Sequence, residues 1–220
     1  MNKKTVIVAG SSGLVGSEAV KLLLDDSSYE EVILLVRKKS EINHPKVKEI
    51  LFNFNSSEYH IENIQADSMF ICIGTTMKKA QTKEAFKEID LNIPVKLAKL
   101  AKKLSVRKVS VISAMGAELH SSFFYNRVKG ELETQIISLN LPSVILIRPS
   151  LLIGHREEIR FGERVAEKVY KVLPIIYPKK YQPIEASRVA IAMIKADSDT
   201  DNRKVTIIEN SMIHELSRNS

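Results

Sequence analysis

Cysteine, tryptophan and glycine are all scarce in this chain. Its 220 residues include one cysteine, no tryptophan and eight glycines. A single thiol excludes an intramolecular disulfide, which fits a reducing compartment. That thiol, Cys72, lies inside the apolar run Met69-Phe70-Ile71-Cys72-Ile73 and reads as a buried, inert group. No apolar stretch approaches the roughly 20 residues of a membrane helix. Met1 to Lys4 lead straight into a short apolar run broken by Gly10, without a signal peptide's apolar core or cleavage site. The expected location is therefore the cytoplasm. The five histidines, His44, His60, His120, His155 and His214, show no metal-ligand spacing with cysteines or carboxylates, so no metal is expected. Repeats, low-complexity tracts and linkers are also lacking.

Hydrophobic residues make up 44% and charged residues 27% of the chain, a globular balance. The length suits one domain, 1–220, with 149–220 forming a small substrate-side lobe. The net charge of +7 is spread along the chain. Its densest cluster, Lys96, Lys99, Lys102 and Lys103, reads as the solvated face of a helix, which argues against a nucleic-acid partner.

Short β-branched runs alternate with helical patterns. Strands are expected at 5–9, 31–36, 47–54, 68–73, 108–112 and 143–147, with a further one at 205–208. Helices are expected at 14–24, 83–104 with Pro94 as a kink or boundary, 123–139, 157–172 and 184–196. Such alternation predicts an α/β fold of Rossmann type, a doubly wound parallel sheet with helices on both faces. The helices after strands four and five could pair across a two-fold axis in a homodimer. Their apolar stripes are equally explained by packing on the sheet.

Gly10-Ser11-Ser12-Gly13-Leu14-Val15-Gly16 follows the first strand and opens the first helix. In that place one glycine permits a tight turn, another a close approach to a pyrophosphate, and the third close helix–strand packing. The helix's free N–H groups and dipole then face the phosphates. Strand two ends Leu35-Val36-Arg37-Lys38-Lys39, with no acid to accept from a ribose 2′-hydroxyl. Arg37 can instead fork onto a 2′-phosphate, so NADP(H) is preferred over NAD(H).

Tyr125 and Lys129 stand four apart on a helix, on one face, near the carboxyl edge of the sheet. A cationic lysine there should lower the tyrosine pKa and suit it to proton exchange with a carbonyl oxygen. Ser113 ends strand five and could hydrogen-bond that carbonyl; Ser121 and Ser122 are rival donors. Arg156, Arg160 and Arg164 read either as a solvated helical face or as recognition of an anionic substrate.

Together Gly10–Gly16, Cys72-Ile-Gly-Thr-Thr76, Ser113-Ala-Met-Gly-Ala117, Tyr125-Asn-Arg-Val-Lys-Gly-Glu131 and Arg148-Pro-Ser-Leu-Leu-Ile-Gly154 resemble the short-chain dehydrogenase/reductase superfamily, in its atypical, epimerase-like branch. Thr75-Thr76 before a basic stretch, the Phe-x-Tyr-x-x-x-Lys-Gly-Glu segment and the tail Ile208-Glu-Asn-Ser-Met-Ile-His214 are similar to the Tat-interacting-protein-like oxidoreductases. The resemblance implies that Gly10, Ser12, Gly13, Leu14, Val15 and Gly16 line a pyrophosphate and that Arg37 meets the adenosine phosphate. It places Asn53 and Phe54 by the adenine, Gly74 and Thr75 beside the nicotinamide-side ribose, and Pro149 near the nicotinamide. Tyr125 would be the acid/base, Lys129 would bind that ribose and tune Tyr125, Ser113 would polarise the carbonyl, and Asn92 would complete the set. The short C-terminal region departs from the larger substrate domains of extended members and argues against a nucleotide-sugar substrate. The expected function is an NADP(H)-dependent oxidoreductase of a small carbonyl or alcohol. The alternative is an NADPH-binding regulatory or scaffold protein.

Overall fold

The computed structural model describes residues 3–56, 59, 61, 63–154, 178–200 and 203–218. In chain order it forms β1 (Lys4–Ala9), α1 (Leu14–Asp25), β2 (Tyr29–Val36), β3 (Val47–Leu51), β4 (Ser68–Ile71), α2 (Met77–Ala80) and α3 (Lys83–Lys87). A π-helical turn, Glu88–Asn92, leads into α4 (Ile93–Lys103), β5 (Lys108–Ile112), α5 (Phe124–Ser138) and β6 (Ser143–Arg148). The remainder holds β7 (Leu152–Ile153), a 3₁₀ turn at Lys179–Tyr181, β8 (Ile184–Glu185), α6 (Ala186–Ser198), β9 (Val205–Glu209) and α7 (Asn210–Leu216).

Seven strands make one sheet in the order β3-β2-β1-β4-β5-β6-β9, and every pair in it is parallel. The expected Rossmann-type doubly wound architecture is therefore the observed one. Alternation along each strand explains the two faces. Ile7, Ile33, Leu35, Met69, Ile71, Val109, Val111 and Leu146 pack with Leu97, Ala101, Val128 and Leu132 of α4 and α5. Val6, Val8, Val32, Leu34, Phe70, Ile145 and Ile147 pack with Val15, Ala19, Leu23, Val189 and Met193 of α1 and α6. Each Val, Leu, Ile, Phe or Met among them, fully buried, contributes about 1.5–3 kcal/mol.

Pegs at the amino ends of the strands hold the opposite edge. Asp197, at the end of α6, accepts the Tyr29 hydroxyl at 2.6 Å and pairs with Lys4 Nζ at 3.2 Å. Lys108 Nζ donates to the Asp197 carbonyl at 2.8 Å. The chain's direction of winding reverses between β1 and β4. The crevice outside their carboxyl ends is the switch point at which open α/β sheets bind ligands.

The expected long helix 83–104 is three consecutive pieces instead: α3, the π turn and α4. Pro94 falls in the first turn of α4, directly after the π turn. Of residues 149–220, expected to form a small lobe, β9 completes the main sheet and α6 covers it. A two-stranded pair, Leu152↔Ile184 and Ile153↔Glu185, stands apart from that sheet. The expected helix 157–172, His155, Pro174 and the Arg156/Arg160/Arg164 face lie outside the described residues, as does His60.

Candidate active site

The glycine turn has the geometry its sequence demands. Gly10 sits at φ +90°, and a Cβ on it would stand 2.8 Å from both C and O of Cys72 in the loop after β4. The two central strands thus touch backbone to backbone at the switch point. A Cβ on Gly16 would come within 2.1 Å of the Gly10 carbonyl oxygen, so only glycine lets α1 start this close to β1. Gly13 N–H closes the turn onto the Gly10 carbonyl at 2.9 Å. Gly13 is also the N-cap of α1, with no side-chain cap and no acid in the first turn. The helix's leading N–H groups and positive end are left free for an anion. That donor set fits a dinucleotide pyrophosphate. Ser12 is exposed on the turn, Leu14 is half-buried, and Val15 is buried in the core, so Val15 can offer a ligand only its backbone.

The other expected cofactor residues follow the carboxyl ends of successive strands. Arg37 is the first residue after β2, exposed, and among the described residues no carboxylate pairs with it. Asn53 is exposed after β3, and its side-chain oxygen accepts from Asn55 N–H at 3.0 Å. Phe54 packs edge-on to Phe52 with ring centroids 4.8 Å apart. Gly74 and Thr75 follow β4. Pro149 follows β6, its carbonyl accepting from Met115 N–H at 2.9 Å.

Tyr125 and Lys129 share one face of α5, as expected. Lys129 is buried, and its Nζ pairs with Asp90 Oδ1 at 2.8 Å, the two side chains being 3% and 2% exposed. The second oxygen of Asp90 accepts the Thr75 N–H at 2.7 Å. Lys129 Nζ also reaches the Ile112 carbonyl at 3.4 Å. Burial pushes the ammonium toward neutrality, but Asp90, Tyr125 and Glu133 outweigh it and hold the Lys129 pKa above the usual lysine value. The Tyr125 ring lies 5.8 Å from that of Phe86, and 39% of the residue stays accessible.

The lowered Tyr125 pKa expected from the lysine does not follow. Burial raises it, Lys129 lowers it, and Asp90 raises it again, leaving a phenol above the usual value.

Two expected roles change with the geometry. Ser113 directly follows β5, but its hydroxyl donates to Glu133 Oε1 at 2.5 Å, and the residue is 2% exposed. A hydroxyl has one proton to donate, so in this arrangement Ser113 does not polarise a carbonyl. Glu133 is held in turn by Arg148, at 2.9 Å to Oε1 and 2.5 Å to Oε2, and Arg148 by Glu209 at 2.9 Å. Asn92 is exposed and donates to Glu88 Oε2 at 2.6 Å; Glu88 Oε1 pairs with Lys96 at 3.1 Å. It belongs to a surface network, and the residue of the π turn that reaches Lys129 is Asp90. The sequence offered for Asp90 only a carboxylate flanked by Ile89 and Leu91, two residues after Glu88. Of the rival serines, Ser121 is half-buried with its Oγ accepting from Phe123 N–H at 3.2 Å, and Ser122 is exposed.

The sequence profile of a family described as NAD(P)H-binding matches residues 10–138. The chain belongs to this NAD(P)H-binding family. It is 30% identical to Protein HTATIP2 of Rattus norvegicus over 224 residues, covering 100% of this chain and 92% of the relative. It is 34% identical over 203 residues to Protein FMP52, mitochondrial, of Lodderomyces elongisporus, covering 85% of each. The resemblance to Tat-interacting-protein-like proteins thus extends over the whole chain. Among solved structures, MoeE5 in complex with UDP-glucose and NAD superposes with a TM-score of 0.70 at 15% identity, covering 93% of this chain and 75% of the other. The Helicobacter pylori ADP-L-glycero-D-manno-heptose-6-epimerase gives 0.69 at 15%, covering 99% and 83%. At those identities the likeness is one of fold.

Proposed function

We propose that the protein is an NADP(H)-dependent oxidoreductase of the short-chain dehydrogenase/reductase type, acting on a small carbonyl or alcohol. The observation that carries this reading is the tie of buried Lys129, one helical turn from Tyr125 on α5, to the loop after β4 through Asp90 and Thr75, beside the switch point. The free amides of α1 and its glycine turn would hold the pyrophosphate, with Ser12, Leu14 and Val15 along it, and Arg37 the 2′-phosphate. Asn53 and Phe54 would flank the adenine. Gly74, Thr75 and Lys129 would take the nicotinamide-side ribose, with Pro149 near the nicotinamide. A nicotinamide bound there supplies or accepts the hydride. The chain's own task is to place the substrate oxygen within reach of Tyr125 and to move the phenolic proton to or from it. Turnover by Tyr125→Phe should fall at least about a hundredfold while NADPH affinity barely changes. A mutant with full activity on an identified substrate removes Tyr125 from the mechanism.

A second reading, NADPH-dependent regulation with little turnover, is favoured by one feature: the Ser113 proton is committed to Glu133, so the carbonyl donor expected beside the tyrosine is not on offer. It requires a partner whose binding changes with NADPH; identical binding with and without the cofactor rules it out. The proposed substrate-side lobe centres on the β7–β8 pair. The homodimer is tested by sedimentation. Among the described residues no helix is long and apolar enough to cross a membrane. The cytoplasm remains the proposed location, and because the fungal relatives are named as mitochondrial, cell fractionation decides between the two compartments.

A further inference from the structure

The site contains more charge than its expected roles use. Around Lys129 stand Tyr125 and Glu133 from α5, Asp90 from the π turn and the Ile112 carbonyl from β5. Glu133 is already engaged: Arg148 from β6 holds both of its oxygens, Ser113 donates to it, and Glu209 from β9 balances Arg148. On the Tyr125 side, α3 contributes the Phe86 ring, while Lys87 on that helix pairs with Glu131 at 3.1 Å. Asp90 is therefore the counter-ion that belongs to Lys129. Its second oxygen is anchored by the Thr75 N–H at 2.7 Å, which holds the carboxylate against the loop after β4. A side chain this deeply buried makes its pairing in low dielectric, where it is hardly screened.

We infer that Asp90 is a positioning residue of this site: by pairing with Lys129 and the Thr75 amide it offsets the lysine's charge beside Tyr125, and so makes the phenolic proton harder to remove. A tyrosine beside an uncompensated buried ammonium is biased toward phenolate, ready to take a proton from an alcohol. With Asp90 in place that bias is offset, and the phenol stays a proton donor to a carbonyl oxygen up to a higher pH. The inference rests on the oxidoreductase reading for the use made of that proton. The charge balance itself can be measured without turnover.

The experiment is an ultraviolet tyrosinate titration of the cofactor-free protein, each form compared with the same form carrying Tyr125→Phe so that only Tyr125 is read. Asp90→Asn should lower the Tyr125 midpoint by about one pH unit or more. Because that variant leaves a buried ammonium unpaired, which can prevent folding, the deciding comparison is the double variant Asp90→Asn/Lys129→Met against wild type. Removing a pair that cancels should leave the midpoint within about half a unit of wild type. A rise of about one unit or more in the double variant would mean that Lys129 acts on Tyr125 uncompensated, and would overturn the inference. So would a folded Asp90→Asn protein whose midpoint stays put or rises. A fully active Tyr125→Phe enzyme, by contrast, would overturn the oxidoreductase reading and leave the charge balance standing.

Discussion

Replacing Gly10 with alanine tests the switch-point geometry directly. The backbone there is at φ +90°, a region that costs a side-chain-bearing residue about 1–3 kcal/mol. The added methyl would also stand 2.8 Å from two backbone atoms of Cys72, on the loop leaving a central strand. That neighbour cannot rotate aside as a side chain would, and overpacking of this kind costs about 1–3 kcal/mol more. Together the two effects come to about 2–6 kcal/mol. At about 2–4 °C per kcal/mol for a chain of this length, the unfolding midpoint should fall by roughly 4–24 °C. Far-ultraviolet circular dichroism during heating reads this, given reversible two-state unfolding. Gly13→Ser is the matched control. Its backbone, at φ −78° and ψ 167°, suits any residue, and serine is a good N-cap. That protein should melt at or above the wild-type temperature and yet lose NADPH affinity, because the new hydroxyl takes amides a pyrophosphate would use. Gly10→Ala melting within about 1 °C of wild type would refute the reasoning, since the close approach to Cys72 could then not be real.

Two further outcomes are expected. Arg37→Ala should weaken NADPH binding about ten- to a hundredfold, the worth of charge-assisted hydrogen bonds to a phosphate, and leave NADH binding nearly unchanged in calorimetric titration; equal losses for both cofactors would detach Arg37 from the 2′-phosphate. Stability should decline in alkali, because burial pushes the Cys72 thiol from 9.0 up to about 12. The folded chain then keeps a proton that the unfolded chain releases, so this contribution is whole below pH 9.0 and is lost as pH rises toward about 12, by at most about 1.4 kcal/mol per pH unit. Urea unfolding at stepped pH should show Cys72→Ala flattening that decline, and an unaltered slope would mean the thiol titrates freely in the folded protein.

The parallel sheet was legible because its strands are short β-branched runs alternating with helical patterns, and because the turn between the first strand and first helix carries Gly10, Gly13 and Gly16. Tyr125 and Lys129 were legible for a similar reason, a helical spacing placed after strand five. Asp90 was not. The π turn breaks the 3.6-residue period, so no helical wheel drawn through Ile89, Leu91 and Ile93 says which way the carboxylate between them faces. Ser113 misled because position at a strand's end is local, whereas its hydrogen-bond partner Glu133 lies 20 residues on and becomes a neighbour only when α5 packs. The sign of the Tyr125 shift failed with it: a pair can be read from spacing, but the burial that raises the phenol most, and the third charge that adds to it, come only when separate elements pack.

The strand order has a consequence for biosynthesis. Once β1, β2 and β3 have paired, each later strand of the sheet joins the free edge left by its predecessor: β4 beside β1, then β5, β6 and finally β9. None has to wedge between two strands already joined. A chain leaving the ribosome amino end first, at about 5–20 residues per second, can therefore lay down its sheet in the order in which it is made. The glycine turn and the loop after β4 would meet before β5 and the strands after it have joined the sheet, so the cofactor crevice would begin to take shape ahead of the segment that carries Tyr125.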